Sequence, residues 1–248
     1  MANKTMHLDD LVKAVQAVLG DKLKSVVLYG SAAAGDYLPG VSGKDVLIIA
    51  EPLGQPELAA LAPTVHTWEQ AGNPLPEVLT PGELATSLDV FPIELLDMQQ
   101  SRRVLFGADP LAGIKIDMDD YRRQLEHELK TRLLQLRRTY FAAAADEAQV
   151  ANLMGASLST FLVLIRAALR LYNDDVAADK LDALDRLARQ VPFDLQPLRD
   201  VLAYKKRQAH PQPGEVQALF ARYLAAIEQI VHAVDLYLRK TAPPTNSQ

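Results

Sequence analysis

The stretch VVLYGSAAAGDYLPGVSGKDVLIIA, residues 26–50, constrains the fold more than any other part of the chain. Two apolar runs, Ser25 to Tyr29 and Val46 to Ala50, are each too short for a helix and are closed by Gly30 and by Glu51-Pro52. Both read as buried strands. Ahead of them, Leu8, Leu11, Val12, Val15, Val18 and Leu19 recur at helical spacing, and Gly20 supplies a stop. Residues 55–72 suit a helix packed on the sheet, interrupted at Pro63 and ended by Gly72-Asn73-Pro74. Leu75 to Thr80 reads as a third strand. Thr80-Pro81-Gly82-Glu83 then has the pattern of a helix start, with Thr80 as cap, Pro81 first in the helix and Glu83 three residues after the cap. Phe91 to Met98 reads as a fourth strand.

Beyond Asp109-Pro110 the strand-like runs stop, and leucine- and alanine-rich segments of helical period take over. The expected class is α+β: a mixed sheet with flanking helices over residues 1–110, a helical bundle over 111–240, and a disordered tail over 241–248 carrying Pro243-Pro244. Leu125, Leu129, Leu133, Leu136 and Tyr140 form one apolar stripe on the first bundle helix. Further helices are expected near 147–173, 177–190, 195–208 and 214–240. A net charge of -5 gives no general attraction to nucleic acid or anionic lipid. The absence of cysteine rules out disulfides, thiolate zinc sites and thiol nucleophiles, and suits a reducing compartment. MANKTMHLDD lacks the apolar core of a signal peptide, and no uninterrupted apolar run approaches the ~18 residues of a membrane span. A soluble cytoplasmic protein is the expectation.

The turn between the first two strands has the parts an anion site needs. Gly30 lets backbone approach a phosphate, Ser31 offers a hydroxyl, and amides opening a short helix point the same way. Gly35 and Gly40 keep the connecting loop tight. Together, Leu28-Tyr29-Gly30-Ser31, Gly35-Asp36 and Ser42-Gly43-Lys44-Asp45-Val46-Leu47 resemble the nucleotidyltransferase superfamily of aminoglycoside adenylyltransferases, minimal nucleotidyltransferases and polymerase-beta-like enzymes. Ser101-Arg102-Arg103-Val104-Leu105-Phe106-Gly107 resembles the way such domains end, so the likeness spans about the first 110 residues.

In that superfamily the second strand opens with Ser-Asp-x-Asp, whose aspartates hold two magnesium ions on the triphosphate. Side chains two apart on a strand share a face about 6.5 Å from one another, close enough for ions about 3.5 to 4 Å apart. Here the resemblance sets Gly43 at the first aspartate and Asp45 at the second, so half the pair is missing. Asp36 does not replace it, because a Gly-Asp in this loop accompanies both metal aspartates in the superfamily. The resemblance implies Gly30, Ser31 and Gly35 at the nucleotide, and Asp45 with magnesium. It also implies a third carboxylate as base or metal ligand: Glu94 first, because it interrupts an apolar run, and Glu77 as runner-up.

In the helical half, Arg166 and Arg170 sit in a strongly apolar segment and need anions: a phosphate in an interdomain cleft, or an internal partner such as Glu126 or Glu128. Arg166 is the candidate for nucleotide contact. Arg123, Lys130 and Arg137 repeat every seven residues, as either a solvated face or a basic wall. Arg122 and His127 have a spacing reminiscent of HEPN ribonucleases. The five histidines lack close metal-ligand spacing. Tyr29 reads as packing. The functional expectation is a nucleoside triphosphate and magnesium bound in a cleft, with weak or lost transfer of a nucleoside monophosphate to a hydroxyl of a small molecule or protein. The rivals are a pseudoenzyme acting as nucleotide sensor or partner-binding module, and a helical-domain ribonuclease.

Overall fold

The structure is a computed structural model that describes residues 6–34, 43–172, 180–206 and 214–241. Gly35, Asp36, Gly40, Ser42, His210 and the expected tail from residue 242 lie outside the described residues. The chain divides into two compact units, Met1–Tyr121 and Arg122–Gln248.

Helix α1, Leu8–Leu19, buries Leu11, Val15 and Leu19, a stripe at four-residue spacing, and is opened by Asp10, whose carboxylate accepts from the His7 backbone N–H at 3.1 Å. Strand β1, Leu23–Tyr29, follows, then the short helix α2, Ser31–Ala34, and strand β2, Asp45–Ala50. Helix α3 runs Gln55–Gln70 and passes through Pro63 without a break. Strand β3, Glu77–Leu79, leads into helix α4, Pro81–Thr86, where Thr80 caps as its sequence implies: its hydroxyl accepts from Glu83 N–H at 3.1 Å while Glu83 accepts from Thr80 N–H at 2.7 Å. Helix α5 covers Pro92–Gln100 and strand β4 covers Arg102–Gly107.

The sheet order is β3-β2-β1-β4, with β1 antiparallel to both β2 and β4, and β2 parallel to β3. Period-two alternation divides the core into two layers. Val26, Leu28, Val46, Ile48 and Ala50 pack with Leu11, Val15, Leu61 and Trp68 on one face. Val27, Leu47 and Ile49 pack with Leu84, Leu95, Met98 and Leu111 on the other. A sheet buried on both faces explains why β1 and β2 read as continuous apolar runs.

Phe91 to Met98 is not a strand: Pro92 opens α5, and Pro92, Leu95 and Met98 are buried at three-residue spacing along the helix. The fourth strand is instead the Arg102–Gly107 segment. At its end Gly107, with φ +75°, lies so close to β1 that an added Cβ would stand 2.0 Å from the Lys24 carbonyl oxygen. Only glycine fits there.

The second unit contains the rest of helix α6, Met118–Ala143, and helices α7, Glu147–Leu171, α8, Lys180–Gln190, α9, Gln196–Lys205, and α10, Glu215–Thr241. Helix α7 is long and apolar enough to cross a membrane by length and composition. It is the core helix of this unit, burying residues such as Met154, Leu158, Phe161, Ile165 and Leu169. Lys130 and Arg137 of the basic repeat reach α10, pairing with Asp235 at 3.0 Å and Glu228 at 2.8 Å, so these two positions tie helices together. Arg166 is half-buried and Arg170 is buried, and neither is a free cation.

Candidate functional site

The apolar face formed by Val27, Leu47 and Ile49 becomes polar at one end of the sheet. Tyr29 continues the Val27 row, and Asp45 continues the Leu47 row. Tyr29 pairs directly with Asp45 across β1 and β2, while Glu77 pairs with Leu47 across β2 and β3. Paired residues share a face, so Tyr29, Asp45 and Glu77 project from the same side of the sheet.

The glycine-serine turn closes against this group. Gly30 has φ +71°, donates its N–H to the Ser101 carbonyl at 3.0 Å, and accepts from Ala33 and Ala34 N–H at 3.0 Å as α2 begins. A Cβ at Gly30 would stand 2.9 Å from Asp45 Oδ2. The carboxylate of the second strand therefore abuts the turn, and the positive φ there favours glycine.

Electrostatics mark the same group. The Tyr29 hydroxyl is pushed well above the usual tyrosine value, chiefly by burial and then by the negative charges of Asp45 and Glu77. It stays protonated across the physiological range, as a donor beside two acceptors. Asp45 is raised from its ordinary value by burial, offset in part by its own backbone N–H. Such a cluster of unlike titrating groups is what a site for a polar ligand presents.

The expected site residues separate clearly. Gly30, Ser31 and Asp45 come together at one turn, and Gly35 lies outside the described residues. Glu94 sits on the first turn of α5, exposed, between buried Ile93 and Leu95. The premise that made it a cleft residue, an acid on an apolar strand, does not hold. Glu77, the runner-up, is the glutamate whose charge acts on Tyr29 together with Asp45. Tyr29 itself was missed as a site residue. No spacing signal could have found it, because residues 30–44 join Tyr29 to Asp45, too long a connection to fix that pairing from sequence. His127 is an exposed residue of α6.

Whether magnesium fits can be judged from the donors. The ion pair of the resemblance needs carboxylates at positions 43 and 45. Gly43 offers none, and a Cβ there would come 2.2 Å from Pro74 Cδ and 2.7 Å from Pro74 Cγ. Among the described residues, no three His, Asp or Glu side chains cluster as a metal would need. The described residues at positions 43 and 45 do not supply the carboxylate pair of a two-ion centre. Asp45 and Glu77 are the carboxylates on which a single ion would draw.

No protein-family model matches the chain, and no curated protein does. Solved structures do match. One is a spectinomycin adenyltransferase from Enterococcus faecialis, crystallised with ATP and spectinomycin; it aligns over 90% of this chain and 100% of its own, with a TM-score of 0.55 and 14% identity. The fold is nucleotidyltransferase-like. At that identity the likeness is one of fold, and it includes a helical region after the small mixed sheet.

Proposed function

We propose that this nucleotidyltransferase-like protein binds a nucleoside triphosphate at the Gly30-Ser31 turn, and that its transfer of a nucleoside monophosphate to a hydroxyl acceptor is weak or lost. The observation that carries this is the Asp45 carboxylate placed 2.9 Å from the Cβ position of Gly30. A glycine at positive φ beside a fixed acid is what a phosphate-holding turn next to a reacting centre requires. In this reading Gly30 and Ser31 hold phosphate oxygens, and the Tyr29 hydroxyl donates to the ligand. Glu77 takes the place of Glu94 as the second acid, accepting a proton from an incoming hydroxyl if transfer occurs. Magnesium, when bound, would neutralise triphosphate charge with Asp45 and Glu77 as its protein ligands.

Phosphoryl and nucleotidyl transfer rely on positioned cations, so the missing carboxylate at Gly43 bears on rate more than on binding. A second reading, a non-catalytic nucleotide sensor, is favoured by the Gly43–Pro74 close approach, which leaves no room for that carboxylate. Arg166, which already has an interaction partner, is not needed in either reading. The cysteine-free chain suits the cytoplasm as the proposed location.

The test is pyrophosphate release from ATP, GTP, CTP and UTP with magnesium, using spectinomycin and other polyhydroxylated compounds as acceptors. Slow, acceptor-dependent release that is lost in Glu77→Gln supports residual transfer. Nucleotide binding with no release under any condition supports the sensor.

A further inference from the structure

Position 43 is not merely lacking a carboxylate; its neighbourhood is filled. Pro74 packs its ring into the space a side chain at 43 would enter, with Cδ 2.2 Å and Cγ 2.7 Å from the Cβ position. Real Cβ contacts of that length do not occur, and a pyrrolidine ring cannot swing away as a flexible side chain can. Nor is Pro74 loosely held. The Trp68 indole N–H donates to its carbonyl at 2.9 Å, and Trp68 is fully buried in the α1–α3 face of the sheet core. The preceding residue, buried Asn73, donates its side-chain amide back to the Trp68 carbonyl at 3.3 Å. The loop that delivers the ring is thus anchored at two successive residues to one core tryptophan.

From this we infer that Pro74, fixed by Trp68, is the determinant that restricts the site to at most one divalent cation. It does so by occupying the first carboxylate's place. Gly43 and Pro74 form a matched pair: the glycine makes room for the ring, and the ring excludes any acid at 43. Restoring an aspartate by Gly43→Asp alone does not rebuild a two-ion centre; Pro74 must change as well. The inference rests on the nucleotide-binding reading for its consequence in metal count, but the packing on which it stands is independent of any ligand.

The experiment is a double-mutant cycle of Gly43→Asp, Pro74→Ala and the combined variant, read in two ways. Pro74→Ala removes Cγ and Cδ while leaving the carbonyl that Trp68 holds. In thermal melts, Gly43→Asp is expected to lower Tm by on the order of 5 °C, and Pro74→Ala in the same chain to recover most of that loss. In Mn2+ titrations with a non-hydrolysable ATP analogue followed by electron paramagnetic resonance, wild type and Gly43→Asp bind no more than one ion per chain. The combined variant binds two. A Gly43→Asp protein that melts with wild type and takes up a second Mn2+ by itself overturns the inference. Thermal coupling without analogue binding in any variant counts against the nucleotide reading and supports the block.

Discussion

Asp45 Oδ2 and Gly30 are matched in space: the carboxylate stands 2.9 Å from the point where any side chain at 30 would begin. Gly30→Ala therefore meets two obstacles, a positive φ of +71° and an acid in the way. The expected cost is about 1–3 kcal/mol of stability, together with loss of nucleotide affinity. Urea unfolding and nucleotide titration on the same preparation check both. Full affinity in Gly30→Ala would mean the turn does not touch phosphate.

Asp45 gives a pH prediction whose sign is fixed. Its folded value is raised above the ordinary one by burial, so the native state favours the protonated form. The stability associated with that proton is complete below the unfolded carboxylate value and is lost as pH rises through the raised one. At pH 7 Asp45→Asn should therefore be slightly more stable than wild type, by at most about 0.5 kcal/mol because the half-buried group is screened by solvent. Its nucleotide binding should fall. A gain in stability paired with a loss of binding is the mark of an acid kept for function; a variant less stable at pH 7 would assign Asp45 a structural role.

Tyr29→Phe removes only the hydroxyl that faces Asp45 and Glu77. The ring still packs beside Val27 and Leu47. Stability should change by less than about 1 kcal/mol, whereas triphosphate affinity should drop roughly tenfold, the worth of one hydrogen bond to a charged ligand. Unchanged affinity would return Tyr29 to the packing role its sequence position suggests.

Away from the site, Gly107→Ala tests the sheet. Its Cβ would collide with the Lys24 carbonyl at 2.0 Å, a backbone atom that cannot move without opening the β1–β4 pairing. A loss of about 2–4 kcal/mol is expected, measured by chemical denaturation.

Much of this was legible in the chain. The first helix, the two central strands, the Thr80 cap and the α-helical character of the second half follow from periodicity and capping alone, because burial on a helix stripe or on both sheet faces writes directly into residue order. The error at Phe91 to Met98 has a physical cause: a short apolar run has the same composition as a strand or as the inner face of a helix. Pro92 at a first helical position was the overlooked discriminator. The ranking of the two glutamates rested on the same run: Glu94 lies on α5, and Glu77 is the one on a strand. The Pro74 ring at Gly43 was beyond sequence reasoning. It depends on where a loop some thirty residues away lands, which Trp68 helps decide through its hydrogen bonds with Pro74 and Asn73.

The most direct measurement is calorimetry of the wild-type chain with ATP, GTP, CTP and UTP, each with and without magnesium, repeated on Gly30→Ala. Saturable binding of at least one triphosphate at roughly micromolar Kd, strengthened less than about tenfold by magnesium and abolished in the variant, is the expected result. No heat with any nucleotide, or equal heat from the variant, would contradict a phosphate site between Gly30 and Asp45.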